Sequence, residues 1–92
     1  MTPRLRGRRA VAQRLRRLQA ELLAEALASG DAKIVTAALG MIARSKGMSQ
    51  MARDAGISRE AIYRATGPDG NPTLSTLMAI VRSAGLKLSA AA

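Results

Sequence analysis

Residues 48–66 read MSQMARDAGISREAIYRAT, and the spacing of the small and aliphatic residues within them decides the fold. Taken as helices over 49–55 and 59–66, they leave only Gly56, Ile57 and Ser58 between, and so short a turn forces a sharp crossing. At such a crossing the two backbones come close, so the first helix needs a small side chain facing the second, and Ala52 supplies it. Gly56 stands where the chain must leave the first helix at positive φ, a conformation that costs glycine least. Ile57 then turns inward as a plug, and Ser58 is a good N-cap for the next helix. Advancing about 100° per residue, Ala61, Ile62 and Ala65 fall on the side that packs against the first helix. Arg59, Glu60, Tyr63 and Arg64 fall on the other. The pattern predicts a helix-turn-helix, in which Ala52, Gly56, Ile57 and Ile62 build the crossing.

The outward face of the second helix is chemically able to read duplex DNA. Arginine can donate two hydrogen bonds to guanine in the major groove, glutamate can accept from cytosine, and tyrosine can contact phosphate or a thymine methyl. In a helix-turn-helix the first residues of the second helix are the ones that reach base edges. The plainer reading is a helical hairpin in which Glu60 and Arg64 form a solvated pair four residues apart, worth about 0.3 kcal/mol, and Tyr63 covers the core.

Composition supports the nucleic-acid reading. Fifteen Lys and Arg against six Asp and Glu give a net charge of +9. Cations that neutralise phosphates release condensed counterions, so a polyanionic partner is the first expectation. The chain has 92 residues, one small domain's worth, able to bury a single modest core but not to shelter a deep catalytic cleft. Hydrophobic residues are 48 % of it, yet Tyr63 is the sole aromatic, so the core must be aliphatic and the palette favours helices. With one aromatic there is no stacking platform for single-stranded nucleic acid. With no Cys and no His, disulfides, Cys/His zinc sites and imidazole chemistry are excluded. The scattered carboxylates form no acid–base pair, so no enzyme, metal or cofactor is expected. No apolar run approaches the roughly 20 residues that span a bilayer, and a cytoplasmic protein is expected.

Outward from the crossing, the periodicity predicts an all-α bundle of about five helices. Before it lies AKIVTAALGMIARSK, capped by Asp31, with Ile34, Val35, Ala38, Leu39, Ile42 and Ala43 on one face. After it, GPDGNP (67–72) is a loop, and Thr73 caps a last helix, LSTLMAIVRSA, whose Leu74, Leu77, Met78, Ile80 and Val81 are apolar. The tail alternates Leu86 and Leu88, consistent with a short strand or with fraying. The first helix is expected from about Arg9, with an apolar stripe of Val11, Leu15, Leu18, Leu22 and Ala26 widened by Leu23 and Leu27.

The start is the most basic part: Arg4, Arg6, Arg8, Arg9, Arg14, Arg16 and Arg17 contribute seven of the nine net charges. Residues 1–17 read as an Arg-rich arm continuous with the first helix, and 18–92 as the helix-turn-helix domain. The arm has three readings: a solvated segment, a DNA-backbone arm in which Arg4, Arg6, Arg8 and Arg9 add affinity without sequence information, or a membrane-surface helix that lacks the usual Trp or Phe anchor. A further reading pairs the stripe Val11, Leu15, Leu18, Leu22 with the same stripe in a second chain. Many repressors of this type are homodimers whose half-sites lie about 34 Å apart.

Three segments carry a family resemblance: EALASGD (25–31), AALGMIARSKGMSQMARDAGISREAIYRA (37–65) and GPDGNPTLSTLMAIVRSAGLKL (67–88). From about Leu22 to Ser89 the chain resembles the bacterial probable addiction module antidote proteins, helix-turn-helix antitoxins related to Xre/Cro-type repressors. The resemblance implies a two-gene module in which the antitoxin binds a RelE/ParE-like toxin and represses their operon. By position it makes Ser58, Arg59, Glu60 and Arg64 DNA-facing and puts Gln50 near the phosphates. Members tend to open with a less basic segment than this one. Two rivals remain: a protein-interaction module whose helix-turn-helix is only a scaffold, and a stand-alone Xre-like repressor without a toxin.

Overall fold

The computed structural model describes the backbone of residues 3–92 and the side chains of residues 7–92. Among the described residues there are five helices, α1 (Pro3–Ala28), α2 (Ala32–Lys46), α3 (Met48–Ala55), α4 (Arg59–Thr66) and α5 (Leu74–Ser83), and no strand. The expected all-α bundle is therefore what forms.

Three of the helices start on a side chain that satisfies an orphan backbone N–H. The Asp31 carboxylate accepts from the Lys33 N–H at 2.9 Å, the Ser58 hydroxyl from the Ala61 N–H at 3.0 Å and the Thr73 hydroxyl from the Thr76 N–H at 3.2 Å. Ser58→Ala removes the cap of a helix only eight residues long and is expected to destabilise by about 1 kcal/mol, read as a lowered denaturation midpoint; Ser58→Thr should recover most of it.

The core lies around α2, which packs against all four other helices. Leu39, Ile42, Met51, Ile62 and Ile80 are its fully buried large side chains, with Leu23, Ala43, Ala52 and Val81 around them. No buried side-chain nitrogen or oxygen lacks a hydrogen-bond partner among the described residues. The face predicted for α2 is inward except at Ile34, which is exposed. Of the apolar residues of α5, Leu77, Ile80 and Val81 lie inward and Leu74 and Met78 are exposed.

The loop after α4 folds back on the helix it leaves. Gly70 donates its N–H to the Gly67 carbonyl at 2.9 Å, and a Cβ at residue 70 would overlap the Ala65 carbonyl group. Gly70→Ala must therefore push the loop off the end of α4, at a cost of about 1–3 kcal/mol; a change of that size in urea unfolding checks it. The tail beyond α5 does not form a strand. Leu86 and Leu88 instead lie beside Leu23 and Leu27 of α1, where the neighbouring backbone is helical and has no ladder to offer.

α1 departs furthest from the sequence reading. It begins at Pro3 rather than near Arg9, with proline in the first turn, where its missing N–H is no loss. Its second half is anchored by Leu23 and Ala26, both under 5 % exposed, whereas Val11 is 62 %, Leu15 44 % and Leu18 60 % exposed. The expected stripe is continuous, but the body of the protein covers only its C-terminal part. At 1.5 Å per residue the helix outruns the bundle beneath it. Ala12 and Gln19 are half-buried, and Gln19 donates to the Ser45 hydroxyl at 3.1 Å.

Candidate nucleic-acid interface

α3 and α4 are joined by Gly56, Ile57 and Ser58. Gly56 sits at φ 71°, ψ 29°, the left-handed region that a residue with a Cβ enters at a cost. The Ile57 N–H closes the end of α3 by donating to the Ala52 carbonyl at 3.1 Å, the six-to-one bond that accompanies such an exit. Ile57 then packs on the core, Ala52 is buried at the crossing and Ile62 is wholly buried.

That crossing turns α4 so that Ile62 and Ala65 face inward while Arg59, Glu60, Tyr63 and Arg64 are exposed. Tyr63 is 50 % exposed, so it does not cover the core. Arg59 and Tyr63 are drawn together: the guanidinium carbon lies 5.8 Å from the ring centroid and an Nη approaches the phenolic oxygen at 3.4 Å. The contact restrains the arginine's fork while engaging one of its five N–H donors. Among the described residues Lys46–Asp54 is the sole ion pair within 4.0 Å, so Glu60 and Arg64 do not form the solvated pair of the plainer reading.

Ser58 caps α4 through its oxygen and keeps its hydroxyl proton to donate. Gln50 is engaged within α3. Its amide donates to Asp54 Oδ1 at 2.9 Å and its oxygen accepts from Arg53 at 2.7 Å. Arg8 and Arg9 are exposed on α1; the side chains of Arg4 and Arg6 lie outside the described residues.

Polar residues that sequence reading assigned only to a loop and a cap join this face. A cleft beside α4 is lined by Tyr63, Arg64, Asn71, Thr73 and Thr76, so the loop and the start of α5 continue the polar surface. The signal was available: the loop is only six residues long, which returns its far end to the helix it leaves.

Behind the face, Lys46 ties three helices. Its ammonium pairs with Asp54 Oδ2 at 2.6 Å and donates to the Ser83 carbonyl. Hydrogen bonds from Lys46 first and Gln50 second hold the Asp54 carboxyl below its ordinary 3.8. A carboxyl lowered in this way contributes stability that is present above its unfolded pKa and lost as pH falls through its folded one. Wild type should therefore lose stability below about pH 4 more steeply than Asp54→Asn, in melting curves taken across that range.

The sequence profile of the family described as probable addiction module antidote protein matches residues 10–92. The chain belongs to that family. It is 46 % identical over 65 residues, 71 % of this chain and 67 % of the other, to a Haemophilus influenzae protein described as uncharacterized. No solved structure matches it significantly. Among the described residues no helix is long and apolar enough to cross a membrane.

Proposed function

We propose that the chain is the antitoxin of a two-gene toxin–antitoxin module and a double-stranded-DNA-binding repressor of its own operon, with α3 and α4 acting as a helix-turn-helix. The antitoxin half is supported by membership of the antidote family over residues 10–92. The DNA half rests on one observation, the outward face of α4: two guanidiniums, a carboxylate and a phenol exposed together on a helix held by a capped, left-handed turn. Arg59 and Arg64 take base edges or phosphates, Glu60 discriminates among bases, Tyr63 and Ser58 contact the backbone, and Gln50 reaches phosphate after exchanging its bonds within α3. Arg4, Arg6, Arg8 and Arg9 add phosphate contacts. The working unit in this reading is a cytoplasmic homodimer matching two half-sites, and its protein partner is a toxin of the RelE/ParE type.

Two measurements test it. Anisotropy titration against the chain's own upstream DNA should give tighter binding than scrambled DNA at moderate salt; equal affinity would sink the DNA half. Co-expression with the adjacent gene should give a co-purifying complex that suppresses that gene's toxicity; failure there would leave a repressor without a toxin.

A further inference from the structure

The exposed stripe of α1 is the largest feature that the proposed function leaves unused. Successive residues advance about 100°, so Val11, Leu15, Leu18 and Leu22 fall within a 60° arc. Val11 and Leu18 are at least 60 % exposed, Leu15 is 44 % and Leu22 is half-buried. α2 adds a second row, Ile34 at 48 % and Met41 at 54 %. One flank of α1 is occupied by the tail, through Leu23 and Leu27, and one flank of α2 by α4, where Gly40 lies against Thr66. The remaining flanks of this antiparallel pair adjoin, so the two rows border one apolar surface, at whose inner edge Leu15 lines a groove with Ile42, Ser45 and Ala84. A helix half this exposed is marginal alone, and such a surface marks an interface.

Charge selects what covers it. Up to residue 17 α1 carries Arg8, Arg9, Arg14, Arg16 and Arg17 among its described side chains and no acid, while from residue 18 onward it carries Glu21 and Glu25 and no base. Arg14, Glu21 and Glu25 lie within 40° of one another, along the edge of the apolar row. A second α1 laid alongside in the opposite direction sets arginines against glutamates at both ends, whereas a parallel one sets arginine against arginine. The stripe is thus self-complementary under a two-fold axis.

We propose that α1 is the dimer seam of this protein: two copies pair their α1 helices antiparallel about an axis near Leu18, with Arg14 of each facing Glu21 and Glu25 of the other and Ile34 and Met41 flanking the join. The proposal rests on the homodimer of the preceding section but not on operator or toxin binding, and it is tested on the full chain alone. The absence of native cysteine makes thiol cross-linking clean. In an antiparallel seam residue 14 meets residue 21, while each is about 10 Å along the axis from its own copy. A short bis-maleimide, which adds one thiol at each end, should therefore join an R14C and E21C mixture and neither variant by itself. A parallel seam would do the reverse and overturn the proposal.

Sedimentation equilibrium supplies the second readout. Leu18→Glu, at an exposed position, should raise the dimer dissociation constant about 100-fold and should unfold at the same midpoint as wild type diluted to its monomer. Glu21→Arg with Glu25→Arg should weaken it about 10-fold, and adding Arg14→Glu should restore part of the loss. A wild-type chain that stays monomeric overturns both the seam and the homodimer. A dimer indifferent to Leu18→Glu overturns the seam and leaves the homodimer standing on another surface.

Discussion

Ile62→Ala should destabilise the protein by about 2–5 kcal/mol, the largest effect expected of any single truncation on α4. Ile62 is wholly buried, and it is the chief side chain by which an eight-residue helix holds to the rest. A helix that short has almost no stability of its own, so the cavity left by three missing carbons cannot be relieved by α4 sinking inward without disturbing its capped start. Against a typical total of about 5–15 kcal/mol, the loss moves the denaturant midpoint far down while the slope of unfolding stays as in wild type. Tyr63→Ala, one residue further on and outward-facing, should stay within about 0.5 kcal/mol. An equal loss from both would mean that α4 is not oriented as described.

Arg59→Ala should weaken binding to the cognate operator by about 1–3 kcal/mol while leaving scrambled DNA nearly unaffected. The position is at the first turn of α4, where a recognition helix meets base edges, and the ring of Tyr63 holds the guanidinium in place. Replacing Arg4, Arg6, Arg8 and Arg9 together by Gln should do the opposite. Every sequence should weaken alike, and the slope of log affinity against log salt should fall by about 1 for each phosphate that the protein no longer neutralises. The contrast between the two variants, measured in one titration series, separates base reading from electrostatic adhesion.

Much of this molecule is legible in residues alone, and where it is not, the reason is specific. α2 starts and stops, α3 stops and α4 starts where their caps say, because Asp31, Gly47, Gly56 and Ser58 act on the backbone immediately beside them. The three-residue connection between α3 and α4 was equally readable, since Gly56 and Ser58 act on the chain beside them. What covers Leu18, Ile34, Leu74 and Met78, all exposed here, could not be read from periodicity. An apolar residue at helical spacing declares a face but not a covering, and whether anything covers it depends on how much chain is left to do so. The pairing of the polar residues was also hidden. Glu60 and Arg64 have the spacing of an ion pair, yet it is Arg59 that engages Tyr63, and Gln50 that engages Asp54 and Arg53, because exposed side chains choose among several partners of nearly equal energy.

Tyr63 is the one aromatic residue in a chain without Phe or Trp, and it stands half-exposed on the outer face of α4 beneath an arginine. The near-ultraviolet optics of the whole molecule therefore come from a single ring at the surface through which it is proposed to meet DNA. Its fluorescence should respond when Arg59 leaves the ring for a nucleic acid and change little when Leu39 or Ile80 loosens at a distance. Local events on α4 and global unfolding, followed by the far-ultraviolet signal of the helices, can thus be recorded separately on the unmodified chain.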